Sequence, residues 1–348
     1  MGLVAAVHFG NESSADLLAM GWFVNNTTDP FYFTPINDTT KVWTYSGTAS
    51  VKWGLGMANG AQLYPMNSLQ PASHKGCWSA ALWFANVGPV VAAVLMQHQG
   101  LGYGASTTVV HASVNQLGLY VANTFKGSSG PVQYLGQKVW VTLKSDQSGA
   151  TWTGELLING VSQVSGSQAA QAQTSSNFFM GSIIPGPAST QGQVCTGLAY
   201  WDDLLDDAET PRRFSESQAT ANGSNVGDNW SSTEATFHEA VATPWDPTKK
   251  ATEADPSAGE RLNVVTPTIA TTLGITPATI EGVTLHVWAS GQAVTGKAVL
   301  GDGTTEAAGT TTVVDELNPT YLYVTSANSP TGPAWAGTDL LEFSFEIQ

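Results

Sequence analysis

At 348 residues the chain is long for a single sandwich and long enough for two domains, each with its own core. Charged residues make up only 11% of it, against about a quarter in ordinary soluble domains. Gly, Thr, Ser and Ala take their place, which sets aside a helical protein built on Glu/Lys/Arg patterns and favours an all-β one. The net charge of −15 leaves no basic stripe to displace counterions, so nucleic acid and anionic membrane surfaces are excluded as partners.

The chain opens on an apolar run, Met1 to Val7, that lacks a basic flank and is followed by His8 and Gly10. No secretory leader is expected there, and Ala6 stands where an acylation signal needs Ser or Thr. The most continuous apolar run, Val87 to Met96, is broken by Gly88-Pro89 and is too short to span a bilayer. A soluble protein made in a cytosol, without membrane insertion, is the expectation. Up to about residue 70 aromatics alternate with turn signals (Gly21-Trp22-Phe23, Asp29 to Phe33, Trp43 to Tyr45), which reads as short strands between loops. Ser13 or Ser14 can cap a helical turn over Ser14 to Met20. Alternation at Val51 and Trp53 marks a strand over Ala49 to Trp53. These aromatics could form a sugar-stacking face, although packing under loops is the more frequent fate of such residues.

Cys77 to Phe84 (CWSAALWF) is apolar on both alternating faces, as a central strand should be. Val90 to Gln97, Thr107 to His111 and Leu117 to Thr124 follow as strands. The clearest signal is a hairpin: Val139 to Leu143 and Trp152 to Ile158 flank the polar turn Ser145 to Gly149, with Val139, Val141 and Leu143 on one face. Asn159-Gly160 supplies the positive φ of a type I′ turn, so a third strand should start near Val161. Phe178 to Ile184 and Cys195 to Leu205 complete the series. Turn signals recur every 8–12 residues or so, the spacing of a sandwich or jelly roll. Cys77 and Cys195 have no Cys-x-x-Cys partner. Two reduced, buried thiols are expected, not a disulfide or a zinc site.

This ordered set resembles the laminin-G-like, concanavalin-like jelly roll: CWSAALWF, then LGLYV, then the Trp140–Val161 hairpin, then AYWDDLL, over about residues 70 to 206. The resemblance implies a rim that in some members binds glycans or calcium, and in others a glycan-cleaving cleft. Glucan-cleaving relatives carry paired Glu residues around an Asp on one strand. This chain has no such run, so no catalytic residues are assigned. Asp202, Asp203 and Asp206, with Asp207, offer hard oxygens for calcium. The reading preferred here is that they solvate the exit from the last strand, so no metal or cofactor is expected.

After Asp207 the composition shifts to a polar connector, residues 207–235, in which Arg212 and Arg213 can pair with the preceding acids. Strands return at Arg261 to Val265, Ile280 to Ala289 (Val283, Leu285 and Val287 on one side), Ala298 to Leu300, Thr310 to Val314 and Tyr321 to Thr325. The last is Leu340 to Ile347, with Phe343, Phe345 and Ile347 opposite Glu342, Ser344 and Glu346. The expected architecture is two antiparallel β-sandwich, jelly-roll-like domains in tandem: residues 1–206, a linker over 207–235, and residues 236–348.

Asn229 to Ser232, Thr248 to Pro256, Ile280 to Ala289 and Pro330 to Leu340 resemble the C-terminal half of structural proteins of tailed bacteriophages. That resemblance implies a virion protein, synthesised in the host bacterial cytoplasm. It would be tail-associated or capsid-decorating, a homo-oligomer in contact with other virion proteins. Residue chemistry points the same way. The six histidines (His8, His74, His98, His111, His238, His286) form no H-x-x-x-H pair. Gly54-Leu55-Gly56 and Gly100 to Gly104 read as loops, not phosphate cradles, and no G-x-S-x-G elbow occurs. A non-enzymatic structural role is the leading reading. An adhesin that binds a host-surface glycan is the alternative, and a glycosidase lacks its carboxylate pair.

Overall fold

The structure is a computed structural model. It describes residues 3–8, 23–24, 43–45, 49–51, 55–57, 62–64, 70–71, 73–84, 94–99, 105–113, 116–130, 138–171, 176–181, 193–201, 219–227, 229–241, 248–266, 268, 280, 282–291, 294–302, 305–314, 320–326, 328–330, 332, 334–336, 339 and 341–348. The chain forms two compact units. The first comprises Leu3–Asp38 and Trp53–Phe214, the second Thr39–Lys52 and Ser215–Gln348. The division after Phe214 falls inside the stretch expected to be a connector.

In chain order the strands are β1 (Leu3–His8), β2 (Phe23–Val24), β3 (Trp43–Tyr45), β4 (Ala49–Val51), β5 (Leu55–Met57), β6 (Gln62–Tyr64), β7 (Lys75–Phe84) and β8 (Val94–Gln99). Next come β9 (Ser106–Ser113), β10 (Gln116–Val121), β11 (Thr124–Ser128), β12 (Lys138–Asp146), β13 (Thr151–Ile158), β14 (Val161–Ala169), β15 (Asn177–Gly181) and β16 (Gln193–Trp201). The second unit, which also holds β3 and β4, continues with β17 (Ala221–Asn222), β18 (Trp230–Ser232), the short helix α1 (Phe237–Val241), β19 (Ala251–Glu253), β20 (Arg261–Val265) and β21 (Val283–Ala289). It ends with β22 (Val294–Gly301), β23 (Glu306–Ala308), β24 (Thr312–Val314), β25 (Thr320–Ser326) and β26 (Glu342–Ile347). The fold is all-β, and every pairing described is antiparallel.

In the first unit one sheet runs β1-β16-β7-β12-β13-β14, with β5 also on β16; the other runs β11-β10-β9-β8-β15-β6-β2. The two stack face to face. A side chain on Gly154 of β13 would strike Thr107 and Val121 of the opposite sheet, so glycine there lets the layers close. Period-two patterning sends Trp78, Ala80 and Leu82 of β7 and Val139, Val141 and Leu143 of β12 into this interior, all buried. The other face of the same strands is buried as well: Cys77, Ser79, Ala81 and Thr142 are shielded, with Thr142 Oγ1 donating to Ser79 Oγ at 3.0 Å. A strand closed on both sides can hold no unpaired ion, which accounts for the lack of charge in CWSAALWF.

The Asn159-Gly160 turn forms as expected, with φ of 48° and 79° and β14 starting at Val161. Leu117 to Thr124 does not stay one strand. Ala122 and Asn123, at φ 46° and 61°, turn the chain between β10 and β11. Leu55 and Gly56 of the expected Gly54-Leu55-Gly56 loop belong instead to the short strand Leu55–Met57 on β16. The register places Cys77 opposite Trp201 and Cys195 opposite Leu82, five positions apart along β7. At about 3.3 Å per residue that separation is beyond the reach of a disulfide. The helical turn over Ser14 to Met20 and the Gly100 to Gly104 loop lie outside the described residues.

In the second unit one sheet runs β17-β20-β26-β22-β23, with β24 also on β22, and the β21–β25 pair forms a separate sheet. Leu285, Leu322 and Val324 of that pair join Ala298, Leu300, Trp335 and Leu341 in one core. Val283 and Val287, on the side of β21 shared with Leu285, pack on it, and so do Phe343 and Phe345 of β26. Within the expected connector, β17 pairs with β20 and β18 with β19. Helix α1 begins at the N-cap Thr236, whose Oγ1 accepts the Glu239 N–H at 3.4 Å and donates to Glu239 Oε2 at 2.8 Å.

Candidate functional site

Among the described residues, two convergences of titratable and polar side chains join elements far apart in the chain. The first is a buried knot at one end of the first unit. His98 of β8 points between the sheets. Its Nδ1 lies 2.8 Å from Ser145 Oγ at the end of β12, and its Nε2 bonds Ser176 Oγ just before β15. Gln147, in the turn after β12, donates from Nε2 to the His98 carbonyl at 2.8 Å and to Thr107 Oγ1 at 3.2 Å. Its own N–H reaches the His74 carbonyl at 2.8 Å. The β12–β13 turn is thereby fastened to the opposite sheet. Asp146 holds that turn in shape, accepting from Ser148 N at 2.8 Å and Ser148 Oγ at 2.6 Å, and pairs with Lys75 of β7 at 3.2 Å.

Beside the knot Trp78 lies in an aromatic stack. Its ring is 4.6 Å from Phe178 and 5.2 Å from Tyr200, both nearly parallel, and 4.9 Å from the tilted His98 ring. The ring folds over Gly76, where any Cβ would collide with it. Gln70 bonds Phe178 through both main-chain groups, at 3.2 and 2.9 Å, as a neighbouring strand would.

Burial first, and the nearby His74 second, lower the His98 pKa from 6.5 to about 3, against an upward pull from Asp146. The imidazole is therefore neutral at physiological pH. With one ring N–H and one lone pair, it suits two hydroxyl neighbours, one accepting and one donating. Both nitrogens are engaged and the residue is sealed from solvent. That is the arrangement of a bolt between sheets; a general base needs an exposed nitrogen and a pKa near the working pH.

The second place is a charge ladder across β20, β26 and β22. Arg261, Glu346 and Lys297 are directly opposite in register. Arg261 bonds Glu346 and also Glu306 of β23, the latter at 2.5 Å, and Lys297 Nζ is 3.0 Å from Glu346. Glu346 is only 6% exposed. Burial alone would raise its pKa, but the Lys297 hydrogen bond and the charges of Arg261 and Lys297 outweigh it and hold the carboxyl below 4.5. In the first unit Lys144, 8% exposed, meets Glu155 across the hairpin at 3.5 Å.

The calcium candidates Asp202, Asp203 and Asp206, with Asp207, lie outside the described residues. Among the described residues no cluster of three or more His, Cys, Asp or Glu is arranged to hold a metal. Of the histidines, His238 bonds Asn222, and His286 sits on the β21 face away from Leu285. The knot escaped sequence reasoning because its members are distant: His98 meets residues 47 and 78 positions away. The ladder was half visible, since alternation in the last strand had put Glu346 opposite the phenylalanines.

No helix among the described residues is long and apolar enough to cross a membrane. No protein-family model matches the chain, and none of the curated proteins does. Among solved structures it is similar to the Trypanosoma rangeli sialidase, at 16% identity and a TM-score of 0.34 over 44% of this chain and 26% of that one. It thus spans about a quarter of the sialidase. It is similar to domain 4 of an extracellular arabinanase from Geobacillus stearothermophilus, solved with arabinotriose, at 13% identity and a TM-score of 0.37 over 58% and 92% of the two chains. It is also similar to a legume lectin-like domain from Entamoeba histolytica, at 8% identity and a TM-score of 0.35 over 57% and 97%. At these identities and TM-scores the likeness assigns neither a superfamily nor a role to the chain.

Proposed function

We propose that the chain is a non-enzymatic structural protein on the outer surface of a tailed-phage virion, tail-associated or capsid-decorating, acting through protein–protein contacts. The observation that carries this reading is what the reactive side chains do. His98 bolts two sheets, and Lys75–Asp146, Lys144–Glu155 and Arg261–Glu346–Lys297 tie neighbouring strands. Among the described residues these charged and titratable groups hold strands together, and the polar strand positions left over carry Ser, Thr and Gln in place of charge, whose depletion marks the cores of interfaces. The phage-like segments of the second unit supply the setting. Quantitative peptide mass spectrometry of purified particles tests it. A fixed stoichiometric copy number is expected, following the capsid lattice for decoration or the tail symmetry for a tail part; absence from intact particles contradicts it.

One observation favours the second reading, a glycan-binding adhesin. Phe125 is 49% exposed, its ring 5.2 Å from Tyr120, and it lies across Gly118 on the outer face of its sheet. An open aromatic face of this kind can stack on the apolar face of a sugar ring. On a glycan array this reading expects binding that Phe125→Ala weakens about tenfold, worth about 1.4 kcal/mol. An array silent for the wild-type chain removes it.

A further inference from the structure

One side of the first unit differs from the rest of this acidic chain. β14 ends its sheet and, among the described residues, pairs with β13 alone. β11 ends the facing sheet, and the two edges lie side by side, with Lys126 Nζ bonded to Gln168 Oε1 at 2.7 Å and Gly127 against Val164. From Leu156 to Trp201 the sequence has no charged residue. The only charge on either edge strand is therefore Lys126, already bonded to Gln168. Val161, 58% exposed, and Phe125, 49% exposed, are the large apolar side chains open on these strands.

A strand edge presents main-chain donors and acceptors to any chain that can approach, and proteins guard such edges with lysine, proline or bulges. β14 has one bulge, where Leu156 faces Val164 and Leu157 faces Ser162. Beyond it Val164 to Ala169 runs in unbroken register, with neither proline nor charge.

We infer that this side is where a second copy of the chain docks, by antiparallel pairing of β14 with its counterpart. Two chains of net charge −15 repel each other, and this side lets them meet without opposing acids, whereas a basic partner would be drawn to the acidic remainder. The segment is self-complementary. A two-fold axis at Gly166 sets Val164 against Gln168, Ser165 against Ser167 and Gly166 against its own copy, so that only small or neutral side chains oppose one another. Main-chain hydrogen bonds would supply affinity, and Val161 and Phe125 apolar contact at the rim. This rests on the non-catalytic structural reading and names its partner.

Sedimentation equilibrium on the full chain, wild type against Ser165→Lys/Ser167→Lys, tests it. The wild type should sediment as a dimer or a larger even assembly. The double-lysine variant should fall to half that mass, with an unchanged circular dichroism spectrum and a melting temperature that no longer depends on concentration. In the wild type, hydrogen exchange at the Val164–Ala169 amides should slow as concentration rises, a readout that needs no variant. A wild type that stays monomeric at about 100 µM, where even weak interfaces assemble, overturns the inference. So does a folded variant of unchanged mass, or exchange at these amides that ignores concentration. Any of these leaves the particle copy number standing as the separate test of the structural reading.

Discussion

The two units tie their strands together with opposite chemistry. In the first, the knot is made of neutral groups in a sealed interior: an imidazole, two serine hydroxyls and a glutamine amide. In the second, the ladder is made of full charges, with Glu346 buried between the partly exposed Arg261 and Lys297. The difference follows from position. Between two sheets an ion would lose its water without recovering it, so burial drives His98 to its neutral form. On a sheet face two cations can reach one carboxylate while keeping part of their own hydration. The lesson is that each device fails in its own pH range and to its own mutation.

The largest effect is expected where the knot leans on the aromatic stack. Trp78→Ala removes the ring between Phe178 and Tyr200 and should cost about 3–5 kcal/mol, read as a lowered denaturant midpoint. Next comes pH. His98 is at about 3 in the folded chain against 6.5 unfolded. Between those values the unfolded chain binds a proton that the folded one refuses. The contribution is intact above pH 6.5 and falls by about 1.4 kcal/mol per pH unit as the solution is acidified below it. Glu346 acts lower down. Its folded pKa is depressed, so its contribution is complete above 4.5 and is lost as pH drops through the folded value. His98→Phe should therefore flatten the stability profile of the first unit between about pH 6.5 and 4.5, at an overall cost of about 1–3 kcal/mol for the stranded hydroxyls. A profile unchanged by that substitution breaks the comparison. The smallest effect is Glu346→Gln, which leaves Arg261 and Lys297 facing a neutral amide. It should cost about 1–2 kcal/mol, shrinking in high salt.

Much of the fold was legible because it is local. Period-two alternation and Asn159-Gly160 placed β12, β13 and β14, for the turn's positive φ and the strands' alternating burial are written in adjacent residues. The turn at Ala122-Asn123 was hidden because alanine gives no signal for positive φ; only the pairing of β10 with β11 forces it. The short strands of the connector were equally hidden, since Ala221–Asn222 and Trp230–Ser232 draw their pairing from β20 and β19, far along the chain. The knot was the least legible feature. Alternation can say that position 98 faces inward, but not that two serines from distant segments will meet its nitrogens.

The central claim is that the side chains able to do chemistry are engaged in joining strands. It is tested most directly by following the imidazole nitrogens of His98 through a pH titration of the folded protein by NMR, with His98→Phe assigning the signals. The ring should stay neutral, with its two nitrogens inequivalent, down to about pH 3 or until the protein unfolds. A His98 that takes up a proton between pH 6 and 7 in the folded state, with a pKa near its ordinary 6.5, would be a base in reach of solvent, and the account would be wrong.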